Sequence, residues 1–348
     1  MKKNLDDRMS WNRIPHFVFY DQAYQLLDKV QWIFEQTSLM QKQSGNELYD
    51  IESMSIVGMT GAGKSTFCRF FQSLYPRKSK GDVEIIPVVH VKLESSITGL
   101  TGLYLALLEP FGWPFSVIGV SRFSQMKIAQ YHMVLKTYIR KAETKIIFLD
   151  EFQHIYQTRK NKHFLNQAIV NHLKIIMEEV RVAIIPVGVL GVEEFLKMDS
   201  QLVGRCPIKP YSRLEYWEYP SINEGIDIDN EFMKLKKQNH KLSTEQINNL
   251  LKIKIKEIQV KNKQIRLNFR KLLKGFEQFL PFLEPSNLSS PITAELLFNK
   301  VQFTRIEEGP LGKTNLRKIA WFLRKAGNLA LQKKHSKITS IDIEETVF

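Results

Sequence analysis

The chain has 348 residues, 43% of them hydrophobic and 25% charged, which excludes a disordered protein and allows two domains at about 150 residues each. Fifty Lys and Arg against 36 Asp and Glu leave a net charge of +14, and two cysteines, Cys68 and Cys206, exclude a disulfide framework. No apolar run approaches the ~18 residues that cross a bilayer, and no cleavable apolar segment follows Met1-Lys2-Lys3-Asn4, so the reading is a cytoplasmic globular protein with no membrane partner.

Ala23, Leu26, Leu27, Val30, Ile33 and Phe34 recur at helical spacing and predict an amphipathic helix within 11–35, followed by a polar loop over 41–47. A short buried strand is expected at 51–57, a loop at 58–63 and a helix at 64–75. Residues 84–93 read as a second strand, 100–109 and 123–141 as helices, and 146–150 as a third strand. A helix over 166–180 and a fourth strand over 182–187 follow. Strands that alternate with helices and are apolar throughout imply a parallel sheet covered on both faces.

After about residue 220 strand signals thin out and helical spacing dominates, as in Phe276, Phe279, Leu280 and in Ile319, Phe322, Leu323, Ala326. Residues 252–260 are ambiguous, because Ile253 and Ile255 alternate with lysines at period two. The expected division is an N-terminal entry segment at 1–50, an α/β core at 51–220, and a helical domain at 221–348 with a basic insertion at 231–275.

The chemistry begins at Gly58-Met59-Thr60-Gly61-Ala62-Gly63-Lys64-Ser65, which fits G-x-x-x-x-G-K-[ST] at every fixed position between a strand and a helix. Glycines let backbone amides converge on phosphates without Cβ clashes, and the following helix turns its positive end toward them. Thr60, Gly61, Ala62, Gly63, Lys64, Ser65 and Thr66 are therefore the candidate ATP-binding residues, with Lys64 reaching the β- and γ-phosphates. About 85 residues on, the apolar strand Ile146-Ile147-Phe148-Leu149 ends in Asp150-Glu151. Ligands in parallel sheets bind beyond the carboxyl ends of strands, so Asp150 is expected beside Ser65 as a Mg²⁺ ligand and Glu151 as the carboxylate that polarises the attacking water. A bare glycine-rich turn would not account for Lys64 and Ser65, and an acidic pair argues for hydrolysis as well as binding.

These elements together resemble an AAA+ ATPase. Asp150-Glu151-Phe152-Gln153-His154 is similar, more narrowly, to the D-E-x-Q-H signature of the TnsC/TniB family of transposition regulators. Looser matches are Arg13-Ile14-Pro15-His16, Asn171-His172-Leu173-Lys174, Gln201-Leu202-Val203-Gly204-Arg205-Cys206, Asn315-Leu316-Arg317-Lys318-Ile319, Ala326, Ala330 and Ile338-Thr339. The resemblance covers roughly 11–220 and 276–346 and leaves 231–275 without a counterpart. It implies an α/β AAA+ P-loop NTPase with a parallel five-stranded sheet and a C-terminal helical lid domain. It implies ATP and Mg²⁺ as cofactors and assembly on double-stranded DNA, as a ring or a helical filament of about six or seven subunits per turn. The partners it implies are a TnsB-like transposase and a TniQ- or TnsD-like target selector, and the location is nucleoid-associated.

The same resemblance makes Arg205 the arginine finger that completes a neighbour's site and Arg317 a second sensor touching ATP within its own subunit. Thr98, Ser121, Arg122 and Lys127 fall in the loops that line such assemblies and track phosphates, while His154 receives no role. The chain departs from the class at the end of its fourth strand, where a polar first sensor is usual and Pro186-Val187-Gly188-Val189 stands. No side chain there can orient water, which predicts slow hydrolysis suited to a timer.

Charge supplies a separate indication. Residues 231–275 hold 13 Lys and Arg against Glu231, Glu245 and Glu257, which accounts for most of the excess. A localised basic stretch suits a polyanion held by counterion release, and the bland alternative is a solvated helix face. Aromatic residues are scarce in it, so duplex binding without sequence preference is expected over base stacking. Two other functions remain open on the sequence: a helicase loader or replication initiator, and a signalling NTPase (STAND-like) that scaffolds proteins.

Overall fold

Buried runs of Ile, Val and Leu set the architecture of the computed structural model, which describes residues 21–42, 51–95, 97, 99–112, 126–155, 163–197, 199–215, 228–238, 243–277, 286–302, 313–333 and 335–346. Two compact units result, one spanning Gln22–Glu215 and one within Tyr216–Phe348.

The first unit opens with helix α1 (Asp21–Lys42), strand β1 (Ile56–Gly58) and helix α2 (Lys64–Leu74). An antiparallel hairpin, β2 (Lys78–Lys80) and β3 (Val83–Ile85), leads to strand β4 (Val88–Lys92) and helix α3 (Gly99–Leu108). Helix α4 (Ile128–Lys141), strand β5 (Ile146–Asp150), helix α5 (His163–Val180) and strand β6 (Ala183–Gly188) follow. Two short helices, α6 (Val192–Leu196) and α7 (Ser200–Arg205), precede the two-residue strand β7 (Arg213–Leu214).

The five-stranded sheet has the order β4-β5-β6-β1-β7 and is parallel at every pairing, with Leu149 opposite Pro186, Ile56 opposite Val187 and Gly58 opposite Leu214. Every residue of β5 and β6 is buried, as continuously apolar strands in a doubly covered sheet require. Phe148 of β5 meets Phe67 and Phe71 of α2 edge-to-face, at centroid distances of 6.4 and 5.9 Å. Helix α1 is pinned at both ends: Gln22 donates to the carbonyls of Pro210 and Arg213, and Gln41 to those of Thr144 and Arg181.

Two sequence expectations change and one ambiguity is resolved. The strand read over 84–93 is two elements, because Ile85 ends the hairpin and β4 starts only after Pro87, whose carbonyl accepts from Lys145 N–H. Only Ile56–Gly58 of the first expected strand joins the sheet, while Ser53 and Ser55 are buried and bond the carbonyls of Arg205 and Pro207. Residues 252–260 are helical throughout. The helix read over 123–141 is described from Ile128 onward.

The second unit holds α8 (Ile228–Gln238), the 34-residue α9 (Thr244–Glu277), α10 (Pro291–Val301), α11 (Leu316–Gln332) and α12 (Ser340–Glu345). Its core joins Phe269, Leu272 and Leu273 to Leu297, Phe298, Phe322 and Leu323. Caps fix the helix starts: Ser290 accepts from Thr293 N–H, Asn315 from Lys318 N–H and Thr339 from Asp342 N–H. Among the described residues no helix is long and apolar enough to cross a membrane.

Candidate nucleotide site

The loop between β1 and α2 takes its shape from its glycines. Gly61 and Gly63 sit at φ 78° and 92°, where a side chain would be strained. Gly58 is required for a different reason, since a Cβ there would overlap the Leu214 carbonyl oxygen of β7 and lie 2.8 Å from Leu214 Cβ. Lys64 is buried and its ammonium donates to the carbonyls of Gly58 and Met59, both at 2.9 Å. Those bonds hold the charge over the loop. Helix α2 starts here without a side-chain cap or an acid in its first turn, leaving its positive end suited to phosphate oxygens. Thr60 is exposed, Ala62 is buried, and Ser65 and Thr66 are partly exposed.

The sheet order places β6 between β1 and β5, so the acidic strand end lies on the same edge as the loop. There Asp150 accepts from His90 Nε2 at 3.1 Å and from Glu151 N–H at 2.9 Å, and the Ser65 hydroxyl of the phosphate loop lies near enough to favour its charged form. Burial works to raise the Asp150 carboxyl, but these donors outweigh it and hold the group below the usual carboxylate range. An ionised carboxylate beside a hydroxyl is a donor set for a hard cation that takes its remaining ligands from water and phosphate. Among the described residues no three His, Cys, Asp or Glu cluster as a metal site.

Beyond Asp150 the backbone turns sharply. Glu151 adopts φ 57°, and a single 3₁₀ turn, Phe152–His154, follows. That turn brings Gln153 back onto its neighbour: its amide Nε2 donates to Glu151 Oε2, while its Oε1 accepts from Val189 N–H at 3.3 Å. His154 lines a cleft of about 940 Å³ together with His90, Lys92, Glu94 and Ser95.

The other candidates are spread over both units. Arg205, the last residue of α7, pairs with Glu178 of α5 at 2.5 Å. Asp199 caps α7 and is held by Lys174 at 2.9 Å, giving the Asn171–Lys174 stretch a structural task. Arg317 is exposed on α11 in the helical unit. Lys127 is exposed at the start of α4, whereas Thr98, Ser121, Arg122 and the 13–16 stretch lie outside the described residues. Burial raises both cysteine thiols, Cys206 to about 12, so neither supplies a reactive thiolate.

The sequence reading missed His90 and Glu178, which carry no local signal, and it quoted Gln153 only as part of a signature.

The parallel sheet, its strand order, the phosphate loop and the acidic strand end define a P-loop NTPase of the AAA+ class. Within that class the model of the bacterial TniB protein family matches residues 8–218, and the chain belongs to this family. No curated protein matches the chain. Among solved structures it is similar to the ORC2 protein of Aeropyrum pernix in ADPNP–ADP complexes, at 11% identity and TM-score 0.48 over 90% of this chain and 66% of that one. The A. pernix ORC1 protein in complex with DNA gives 12% and 0.42 over 96% and 67%. The RuvB Holliday junction branch migration motor of Thermotoga maritima gives 13% and 0.39 over 96% and 72%. The chain thus spans just under two thirds of the first of these proteins.

Proposed function

We infer that this chain is an ATP-switched assembly protein of transposition, which binds duplex DNA without sequence preference and links a target selector to a transposase. The observation that carries the ATPase part is the sheet order, which sets the loop holding buried Lys64 and the β5 end carrying Asp150 and Glu151 on one edge. Lys64 and the N-terminus of α2 would hold the β- and γ-phosphates, and Ser65 and Asp150 would hold Mg²⁺. Bound there, Mg²⁺ would neutralise charge developing on the phosphates. Glu151 would take the proton of the water whose oxygen bonds to the γ-phosphorus as the bond to the bridging oxygen breaks and ADP leaves.

Arg205 of one subunit would reach the site of the next, and Arg317 would contact nucleotide within its own subunit. ATP at the subunit interface would close a ring or filament on DNA, with Thr98, Ser121, Arg122 and Lys127 as phosphate contacts, and hydrolysis would release it. The family supports the transposition context, and the basic residues of α9 support a polyanion partner.

The test is duplex binding by the purified chain, followed by fluorescence anisotropy on random-sequence DNA with and without ATP and Mg²⁺. Binding by the wild type is expected to require ATP. Lys64→Ala is expected to bind neither ATP nor DNA, and Glu151→Gln to bind DNA more tightly and release it more slowly. A Glu151→Gln variant unable to bind DNA would overturn the switch. Binding confined to one sequence would select an initiator, and assembly indifferent to DNA would select a signalling scaffold.

A further inference from the structure

The β6 end lacks a polar side chain, yet the polar group is supplied from elsewhere. Gln153 lies between two fixed partners, the Glu151 carboxylate and the Val189 N–H just past β6. A backbone N–H can only donate, so the amide atom facing it must be oxygen. The amide NH₂ is then forced toward Glu151, where it can pair only with an acceptor. The amide therefore has one orientation, and so does the carboxylate it binds.

Gly188 leaves room for this arrangement. A Cβ at that position would lie 2.5 Å from Gln153 Oε1 and 2.7 Å from Val192 Cγ2. The left-handed backbone at Glu151 and the 3₁₀ turn after it bring the glutamine within reach of a residue two positions earlier. A glycine, a strained torsion and a tight turn thus converge on one bond. Strain of this kind persists where surrounding structure imposes it.

We propose that Gln153 is the positioning residue for Glu151, supplying from the turn after β5 the polar contact that β6 does not provide. The inference rests on Glu151 being the carboxylate that activates water. With one Glu151 oxygen held by the Gln153 amide, the other is left to accept from water in a fixed direction. Val189 leads into α6 and α7, so the bond also ties the carboxylate to the segment that ends in Arg205.

Steady-state ATP hydrolysis by the full chain with Mg²⁺ and saturating duplex DNA tests this. Gln153→Ala is expected to lower kcat by about tenfold to a hundredfold at unchanged KM, the size of effect a misplaced reacting group produces. Gln153→Glu keeps the volume and the acceptor for Val189 N–H but sets a carboxylate against a carboxylate, and it is expected to be as slow. A side chain that merely filled the space over Gly188 would be replaced by that glutamate without loss. Adding Gln153→Ala to Glu151→Gln is expected to cost nothing further, because both act through one carboxylate. Wild-type kcat in Gln153→Glu, or a defect confined to KM, overturns the proposal. If Glu151→Gln itself hydrolyses ATP at the wild-type rate, the reading of Glu151 falls and the proposal with it; a slow Glu151→Gln beside a fast Gln153→Glu removes the proposal alone.

Discussion

Single residues in this protein answer to more than one element. Gly58, the first glycine of the phosphate loop, is kept small by the backbone of β7 rather than by a phosphate, since the Leu214 carbonyl occupies the place of its Cβ. In the helical unit Asp342 is buried, accepting from Thr339 N–H at 2.8 Å, Thr339 Oγ1 at 2.8 Å and His335 Nδ1 at 3.0 Å. Burial acts to raise its carboxyl, but His335 and Thr339 outweigh that and hold it low. A carboxylate depressed on folding contributes stability that is complete above its unfolded value of about 3.9 and is lost as pH falls through the folded value. Thermal unfolding followed against pH is therefore expected to show stability declining below about pH 4. Asp342→Asn is expected to flatten that decline and to cost about 1–3 kcal/mol at neutral pH, where a hydrogen-bonded charge is lost. An Asn variant with the wild-type acid slope would contradict this.

At the scale of elements, α9 carries the strongest charge pattern. At 100° per residue, Lys252, Lys256, Lys263, Arg266, Arg270 and Lys274 fall within an arc of about 80° that runs some 33 Å along the helix. Its one acid between 252 and 274, Glu257, lies off that stripe and pairs with Lys254. If the stripe tracks phosphates, replacing the exposed Lys252, Lys256 and Lys263 by Gln should reduce the slope of log K against log salt by about 2.7, at about 0.9 per phosphate contact. ATP hydrolysis without DNA should not change, and an unaltered slope would assign the stripe to solvent. The same helix shows what the sequence conceals. Lys252, Lys254 and Lys256 alternate with Ile253 and Ile255 and imitate a strand, whereas the buried Ile247, Leu251 and Phe269 mark a helical face. Strand β7 is two residues long and held by Gln22, a partner about 190 residues away, so no window of sequence contains its cause. The phosphate loop and Asp150-Glu151 were legible because their chemistry requires particular side chains at fixed spacing. Gln153 stood in view, but its partner Val189 is 36 residues downstream, and hydrogen-bond geometry across strands has no period to read.

For the whole molecule the decisive contact is the one from Arg205 to Glu178, because it lies within a subunit. If Arg205 completes a neighbour's site, as proposed, it must leave that carboxylate first, and the pair would then oppose assembly. Glu178 is half exposed, and a pair of that kind contributes about 1 kcal/mol or less. Removing the carboxylate should therefore favour assembly slightly, and removing the arginine should prevent it. Sedimentation at graded ATP is expected to show Glu178→Ala assembling at an ATP concentration lower by up to about fivefold, the equivalent of that energy. Arg205→Ala is expected to bind ATP as a monomer and not to assemble. DNA and ATP must also strengthen each other's binding by one common factor if both favour the same closed oligomer, and Glu178→Ala should leave that factor intact while lowering both thresholds. A variant that assembled less readily than the wild type would mean that Glu178 supports the interface, and Arg205 would then be an anchor of α7 rather than a group offered to a neighbour.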